Sequence, residues 1–337
     1  MERAETAAFA EEKRKNKKKP LQVGRERWDK HAVIACIMAI IPLIGFVLFS
    51  IFPLVISFLA LFCNVDLYDL SNIKWNNFEG FQSVFVPGHA FDLFGFDVAT
   101  YFYKACGITL WVASTQFITL AISIVISAFL AQKLKGSRLF QVLFFIPYIC
   151  SGVAVAMMWR WVFADTGILN AIFGSNVKWL TDVRTMTLCI ITAIIWQAPG
   201  YGIVMYKSAM NDINASLYEA AALDGANGFQ KFIHVTVPCI APTTFYLLIS
   251  GIGAGLLTCD MALLIVPDSW ETVGGNGSMG LTLMRFVYYL IQNDVNNQDA
   301  FGNRYMVSCA AIISWVLFAL TAVFSVILFK RRQKSME

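Results

Sequence analysis

Charge is scarce in this chain of 337 residues: Asp, Glu, Lys and Arg together make up 14%, against roughly 25% in an average soluble domain. Histidine is scarcer still, with His31, His89 and His234 far apart. The eight cysteines include no C-x-x-C pair, and all lie in or beside apolar segments. That pattern reads as buried small hydrophobes rather than metal ligands or a disulfide framework. There is no H-E-x-x-H, no G-x-S-x-G with plausible partners and no phosphate-binding G-x-x-x-x-G-K-[ST], so an intramembrane enzyme would have no visible catalytic pair. If the chain moves a solute uphill, the energy source must sit on another chain.

What is present is apolar. Hydrophobic residues reach 58% and fall in long runs, and a spanning helix needs about 20 mostly apolar residues. Six runs qualify: 33–62, 105–131, 139–163, 186–209, 240–266 and 306–329. The expected class is an all-α membrane protein with six transmembrane helices. The first run starts at Ala32 and reaches Cys63, longer than the apolar core of a secretory signal. It reads as an uncleaved span, kinked at Pro42 or Pro53. The expected segments are a basic tail (1–31), a first span (32–63), an external segment (64–104), a core of five spans (105–329) and a second basic tail (330–337).

Lys and Arg set the orientation. The first tail holds ten, "QKLKGSR" (132–138) three, the loop before the fifth run two, and "KRRQK" (330–334) four. The opposite face collects seven, with eleven of the 22 acids. Both termini are therefore expected in the cytoplasm, with external segments at 64–104, 164–185 and 267–305. The net charge of +4 does not imply nucleic acid, because the basic residues sit where membrane topology places them. The run "KRKNKKK" (13–19) reads as a solvated, topogenic tail, with a lipid- or RNA-binding patch as the rival. In the first external segment Trp75, Phe78, Phe81, Phe85, Phe91 and Phe94 fit an interfacial anchor or a docking surface equally well.

Three polar features inside the spans point to a transport path. "WQAPGYG" (196–202) places Pro199 and Gly200 mid-span, where a helix break would have to be satisfied by protein or a wet cavity. Trp196, Gln197 and Tyr201 flank it, an aromatic face with an amide that suits a sugar ring; the competing reading is a proline kink with packing aromatics. Gly251 and Gly255 in the fifth run, within "SGIGAGLLTCD" (250–260), form a small-residue face that favours close helix packing. Thr258 and Asp260 follow, and a carboxylate there needs a cavity or a partner, so Asp260 reads as a gate residue or as half of a structural pair. Gln197, Tyr201, Ser250 and Thr258, with Trp196 and Asp260, are the candidate path residues. Thr115, Gln116 and Tyr148 are weaker hints.

The loop "NASLYEAAALDGANGFQKFIHVTVPCIAP" (214–242) is polar and helix-forming. Ser216 with Glu219 fits a capping box, Ala220, Ala221 and Ala222 favour helix, and Gly225 suits a left-handed cap. Asn227 with Gln230 opens a second short helix carrying Phe229, Phe232 and Ile233 on one stripe. A rigid helix–turn–helix on the cytoplasmic side can seat in a soluble partner. A helix resting on lipid headgroups would carry more apolar bulk and a basic face.

Glu219-Ala220-Ala221, Asp224-Gly225-Ala226, Phe232, Thr236 and Pro238 closely resemble the EAA loop of bacterial ATP-binding-cassette (ABC) importer permeases. "WRWVFADTGILNAIFG" (159–174) and "NNFEGFQSVF" (76–85) resemble segments of their MalF-like carbohydrate subfamily. The resemblance runs from about residue 30 to the C-terminus. It implies the ABC type I importer (MetI-like) fold in a bacterial inner membrane, with a coupling loop at 210–238. It also implies a second EAA-bearing permease, two cytoplasmic ATPase subunits, an extracytoplasmic solute-binding protein and a carbohydrate substrate, an oligosaccharide or related polyol. The chain would be non-catalytic and free of cofactor, with ATP and Mg bound by the partner ATPases and Glu219, Ala220, Ala221, Asp224, Gly225 and Ala226 coupling to them. The sequence departs from the family pattern at Cys259-Asp260, at Val273-Gly274-Gly275-Asn276 and at Asn303-Arg304-Tyr305-Met306-Val307. The rival function is a stand-alone channel or an ion-coupled secondary transporter, which would work with no ATPase.

Overall fold

The computed structural model describes residues 30–64, 73–89, 97–132, 136–182, 184–266, 280–296 and 306–336. The basic run 13–19, Phe91, Phe94 and the departures at 273–276 and 303–305 lie outside them. Backbone contacts divide the chain between Ile56 and Ser57.

In the first unit, α1 (Lys30–Phe46) runs through Pro42 and continues into a π turn, Val47–Ile51. The Phe52 N–H donates five residues back to Val47 O. Pro53, next in line, has no N–H to give, so the wider turn absorbs the lost bond. Of the two kink sites expected from sequence, the irregularity sits at the second. Helix α2 (Phe52–Leu59) follows.

The second unit begins within α2, at Ser57, and continues with a two-residue pairing of β1 (Cys63–Asn64) and β2 (Lys74–Trp75) and then α3 (Glu79–Phe85). Its central member is α4 (Val98–Ala131), whose 34 residues extend about 51 Å. Asp97 caps it, accepting from the Thr100 N–H at 3.1 Å. Burial works against this carboxylate's charge, but hydrogen bonds from the Thr100 hydroxyl and the Gly88, Thr100 and Ala99 N–H groups outweigh it and hold its pKa below the usual value.

Beyond it come α5 (Ser137–Ile149), α6 (Gly152–Val162), α7 (Ile168–Phe173), α8 (Met186–Gln197) and α9 (Pro199–Asn211). Then follow α10 (Ala215–Leu223), α11 (Gly228–Lys231), a π turn (Phe232–Thr236), α12 (Val237–Cys239) and α13 (Ala241–Leu256). The last are α14 (Asp260–Ile265), α15 (Leu283–Asn296) and α16 (Met306–Met336).

Among the described residues, four helices are long and apolar enough to cross a membrane, or six if each bent pair counts as one span. The bent pairs are α5 with α6, at 93°, and the 228–239 segment with α13, at 65°. The expected six is reached only when both bent pairs are counted as spans. The third run, taken from sequence as one span over 139–163, is turned sharply at Cys150–Ser151. The fifth, taken as 240–266, ends its helix at Leu256 and restarts at Asp260.

Pro199 interrupts the fourth run at Ala198 alone, between α8 and α9. Ala198 keeps helical angles (φ −69°, ψ −32°) and the two helices form one candidate span from Met186 to Asn211, closer to the proline-kink reading than to an open break. Ser123 and Ser127, one turn apart on α4, donate to Pro199 O (3.1 Å) and Ile203 O (3.0 Å), one turn apart on α9. These bonds hold α4 to α9. The small-residue face expected on the fifth run is real. A Cβ on Gly255 would lie 2.9 Å from Ala113 Cα, and one on Gly251 would fall on the Gln116 amide. Gln116 therefore locks α4 to α13, its Nε2 donating to Leu247 O at 3.3 Å.

The segment 165–179, expected from sequence to be external, is organised by one side chain. Asn170, 5% exposed, donates to Asp165 O (3.0 Å) and Val177 O (2.9 Å) and accepts from Ser175 Oγ (3.0 Å) and Trp179 Nε1 (2.8 Å). Asn170→Ala is expected to cost about 2–4 kcal/mol, because it also strands buried partners. Thermal unfolding of the solubilised protein checks this; an unchanged midpoint would mean that water replaces the amide freely.

Candidate functional site

The 214–242 loop, expected from sequence to be cytoplasmic, folds as a compact lever. Asn214, not Ser216, is the cap of α10: its side chain accepts from the Ser216 N–H at 3.1 Å. The helix starts one residue before Ser216, so the box expected between Ser216 and Glu219 does not form. Its far end behaves as the sequence implies. Gly225 adopts φ +75°, with Ala226 N–H donating to Ala221 O (2.9 Å) and Gly225 N–H to Ala222 O (3.1 Å), a Schellman closure. The second helix opens on the expected capping box. The Gln230 N–H donates to Asn227 Oδ1 (2.9 Å) and the Asn227 N–H to Gln230 Oε1 (2.8 Å).

Two contacts tie the lever to the rest. The Tyr218 and Thr236 hydroxyls are 2.9 Å apart, and Phe232 packs against the cluster of Tyr206, Met210 and Leu247. Between its two helices lies an open groove of about 510 Å³, lined by Ala220, Ala221, Asp224, Gly225 and Ala226 among others. Five of the six coupling candidates therefore share one surface. Glu219 is exposed on the same helix but is not part of that lining. Leu223 is 91% and Phe229 71% exposed, the most exposed of the loop's large apolar side chains.

The second cluster lies where α5, α9 and α13 meet. Tyr201 stacks on Tyr148 (centroids 5.4 Å apart, 22° between planes), and Tyr148 on Phe145 (5.8 Å, 26°). The Tyr201 hydroxyl is 3.4 Å from that of Tyr246. Gln197, one turn from Tyr201, donates to Cys150 O (3.4 Å) at the bend between α5 and α6. Ser250, one turn from Tyr246, donates to Tyr246 O (2.9 Å), and the Thr258 hydroxyl to Ala254 O (3.2 Å). Asp260 is exposed as the first residue of α14, and its Oδ2 is the closest atom to the open side of Gly152, at 4.0 Å from the Cβ position. Trp196 stands apart from this group, edge-on to Trp159 at 5.9 Å.

The structure thus joins Gln197 and Tyr201 to Ser250 through Tyr246, and sets Thr258 and Asp260 at the restart of the fifth run. Tyr246 is a residue that sequence reasoning missed, although its spacing of four from Ser250 marks one helix face. Arg285 is another: counted from sequence as an external charge, it is 2% exposed. Its signal was a lone basic residue inside "LTLMRFVYYL" (281–290). Among the described residues no group of three or more His, Cys, Asp or Glu is placed to hold a metal ion.

Comparison with known proteins gives four findings. The profile of the binding-protein-dependent transport system inner membrane component matches residues 123–334. The probable ABC transporter permease protein YesP of Bacillus subtilis is 26% identical over 294 residues, 86% of each chain. The lactose transport system permease protein LacF of Rhizobium radiobacter is 30% identical over 219 residues, 63% of this chain and 69% of that one. Among solved structures, a bacterial ABC transporter involved in the import of the acidic polysaccharide alginate has a chain that superposes with a TM-score of 0.70 at 20% identity, covering 89% of this chain and 96% of its own. That likeness shows the fold.

Proposed function

We propose, from the premise that this chain belongs to the family of binding-protein-dependent transport system inner membrane components, that it is the permease subunit through which an ABC importer passes a saccharide. The observation that carries the coupling half is the lever: a rigid, doubly capped turn exposing Leu223 and Phe229 beside a groove lined by Ala220 to Ala226. Exposed apolar anchors around a preformed groove are what a helix-in-groove contact with a soluble subunit uses. That subunit would be one of two cytoplasmic ATPases, which bind ATP and Mg and supply the work. A second permease would complete the path, an extracytoplasmic binding protein would deliver the solute, and both termini would lie in the cytoplasm.

The sugar reading rests on the stacked Tyr148 and Tyr201 with the Tyr246 hydroxyl and the Gln197 amide. Aromatic faces receive the apolar face of a sugar ring, and the amide and hydroxyls exchange hydrogen bonds with its hydroxyl groups. Relatives include permeases named for lactose and for arabinooligosaccharides, which supports a carbohydrate cargo.

The test is uptake by the assembled complex in liposomes. The double variant Gln197→Ala with Tyr201→Ala is expected to weaken apparent affinity about tenfold or more, as loss of stacking plus one hydrogen bond amounts to at least about 1.4 kcal/mol. Affinity and rate both unchanged would remove these residues from the path.

A further inference from the structure

The segment that carries Thr258 and Asp260 cannot hold its own shape. Helix α14 has six residues, too short to persist alone, and it follows an irregular stretch between Leu256 and Asp260. Its backbone is held from outside, by the first turn of α15. The Thr282 hydroxyl donates to Thr258 O at 2.8 Å. Arg285 reaches the other end: Nη1 donates to Ala262 O (2.8 Å) and Gly280 O (3.4 Å), and Nη2 to Val266 O (3.4 Å).

The clasp is itself anchored. The Arg285 N–H donates to Thr282 Oγ1 (3.3 Å), and the Leu283 N–H to Thr109 Oγ1 (2.8 Å) on α4. Arg285 suits the task better than any neutral donor. Its planar fork meets several carbonyls at once, and its charge sits at the negative end of α14.

We infer that Thr282 and Arg285 are positioning residues that fix Thr258 and Asp260 at the outer part of the path, acting through the main chain of 258–266. The functional part of this inference rests on the proposed path; the clasp itself does not. Neither side chain touches the tyrosine cluster in any contact given above. Their effect is therefore on where the segment sits, and Cys259, between the two residues it positions, is a built-in reporter.

The experiment measures the rate at which N-ethylmaleimide labels each cysteine of the full chain in the assembled complex, resolved by mass spectrometry. Thr282→Val, which leaves the Arg285 charge beside Cys259 in place, is expected to speed labelling of Cys259 about fivefold or more, while the buried Cys309 and Cys189 keep their wild-type rates. Arg285→Lys, which keeps the charge that favours the reactive thiolate but not the fork, should speed it as well, by less. Acceleration at all three cysteines would mean general loosening and would overturn the inference, as would no change at Cys259. Should Arg285→Lys fail to assemble, Thr282→Val decides by the same criteria. The path is tested separately by uptake with Asp260→Asn: a normal affinity there alongside fast Cys259 labelling in the clasp variants would sink the path and leave the clasp standing.

Discussion

Gly225→Val should abolish transport while leaving the protein inserted and folded. At φ +75° a β-branched residue is strained by on the order of 1–2 kcal/mol. The space around it is empty, with nothing within 4 Å of the Cβ position, so the cost is one of conformation rather than of collision. The simplest relief is to unwind the turn, which gives up the Ala226-to-Ala221 and Gly225-to-Ala222 bonds and reshapes the wall of the groove. A lever with a loosened end cannot transmit a rigid-body motion, so sugar-stimulated ATP hydrolysis by the complex should fall roughly tenfold or more, as about 1.4 kcal/mol is tenfold. Gly228→Ala is the control. It also has open space and carries no positive φ, and alanine favours the helix it begins. It should transport normally; an equal loss in both variants would mean that the loop rejects any substitution.

Gly200→Leu is expected to have the largest effect on stability. A Cβ at Gly200 would lie 2.7 Å from Phe144 O and 2.9 Å from Tyr148 Cβ, so α5 and α9 would have to move apart. Overpacking of this kind typically costs 1–3 kcal/mol, and more where the obstacle is main chain. The same shift would part Tyr148 from Tyr201, the next residue along, so uptake should suffer even where the protein survives. Gly253→Ala is the contrast, since its Cβ would meet only Thr321 Cγ2 at 3.9 Å. Detergent-solubilised yield and thermal midpoint should drop for Gly200→Leu and hold for Gly253→Ala. A drop in both would mean that these helices reject any added side chain, and not that close approach at Gly200 is special, since alanine and leucine both favour helix over glycine.

These glycines show what the sequence could and could not disclose. Long apolar runs announce helices because a bilayer demands them, and the caps at Asn227 and Gly225 are local chemistry that needs no tertiary knowledge. Bends at Cys150–Ser151 and before Asp260 were not legible, because both runs stay apolar across the break and only packing between α6 and α14 decides it. At Pro199 the local rule left two readings open, a break or a kink, and the sequence could not show the bonds from Ser123 and Ser127 that hold α9 to α4. Arg285 was read as a solvated charge because burial of a cation depends on carbonyls that no local pattern reveals. The site was thus visible where it is made of one segment and hidden where it is made of several.

The most direct test of the central claim is photo-crosslinking from the lever. With Leu223 replaced by p-benzoylphenylalanine in the co-expressed complex, irradiation should give one adduct whose mass is that of this chain plus an ATP-binding subunit, and its yield should change when ATP is added. Adducts to lipid alone, or none to the ATPase in a complex that still transports, would contradict the claim that this helix is where the work of ATP enters the chain.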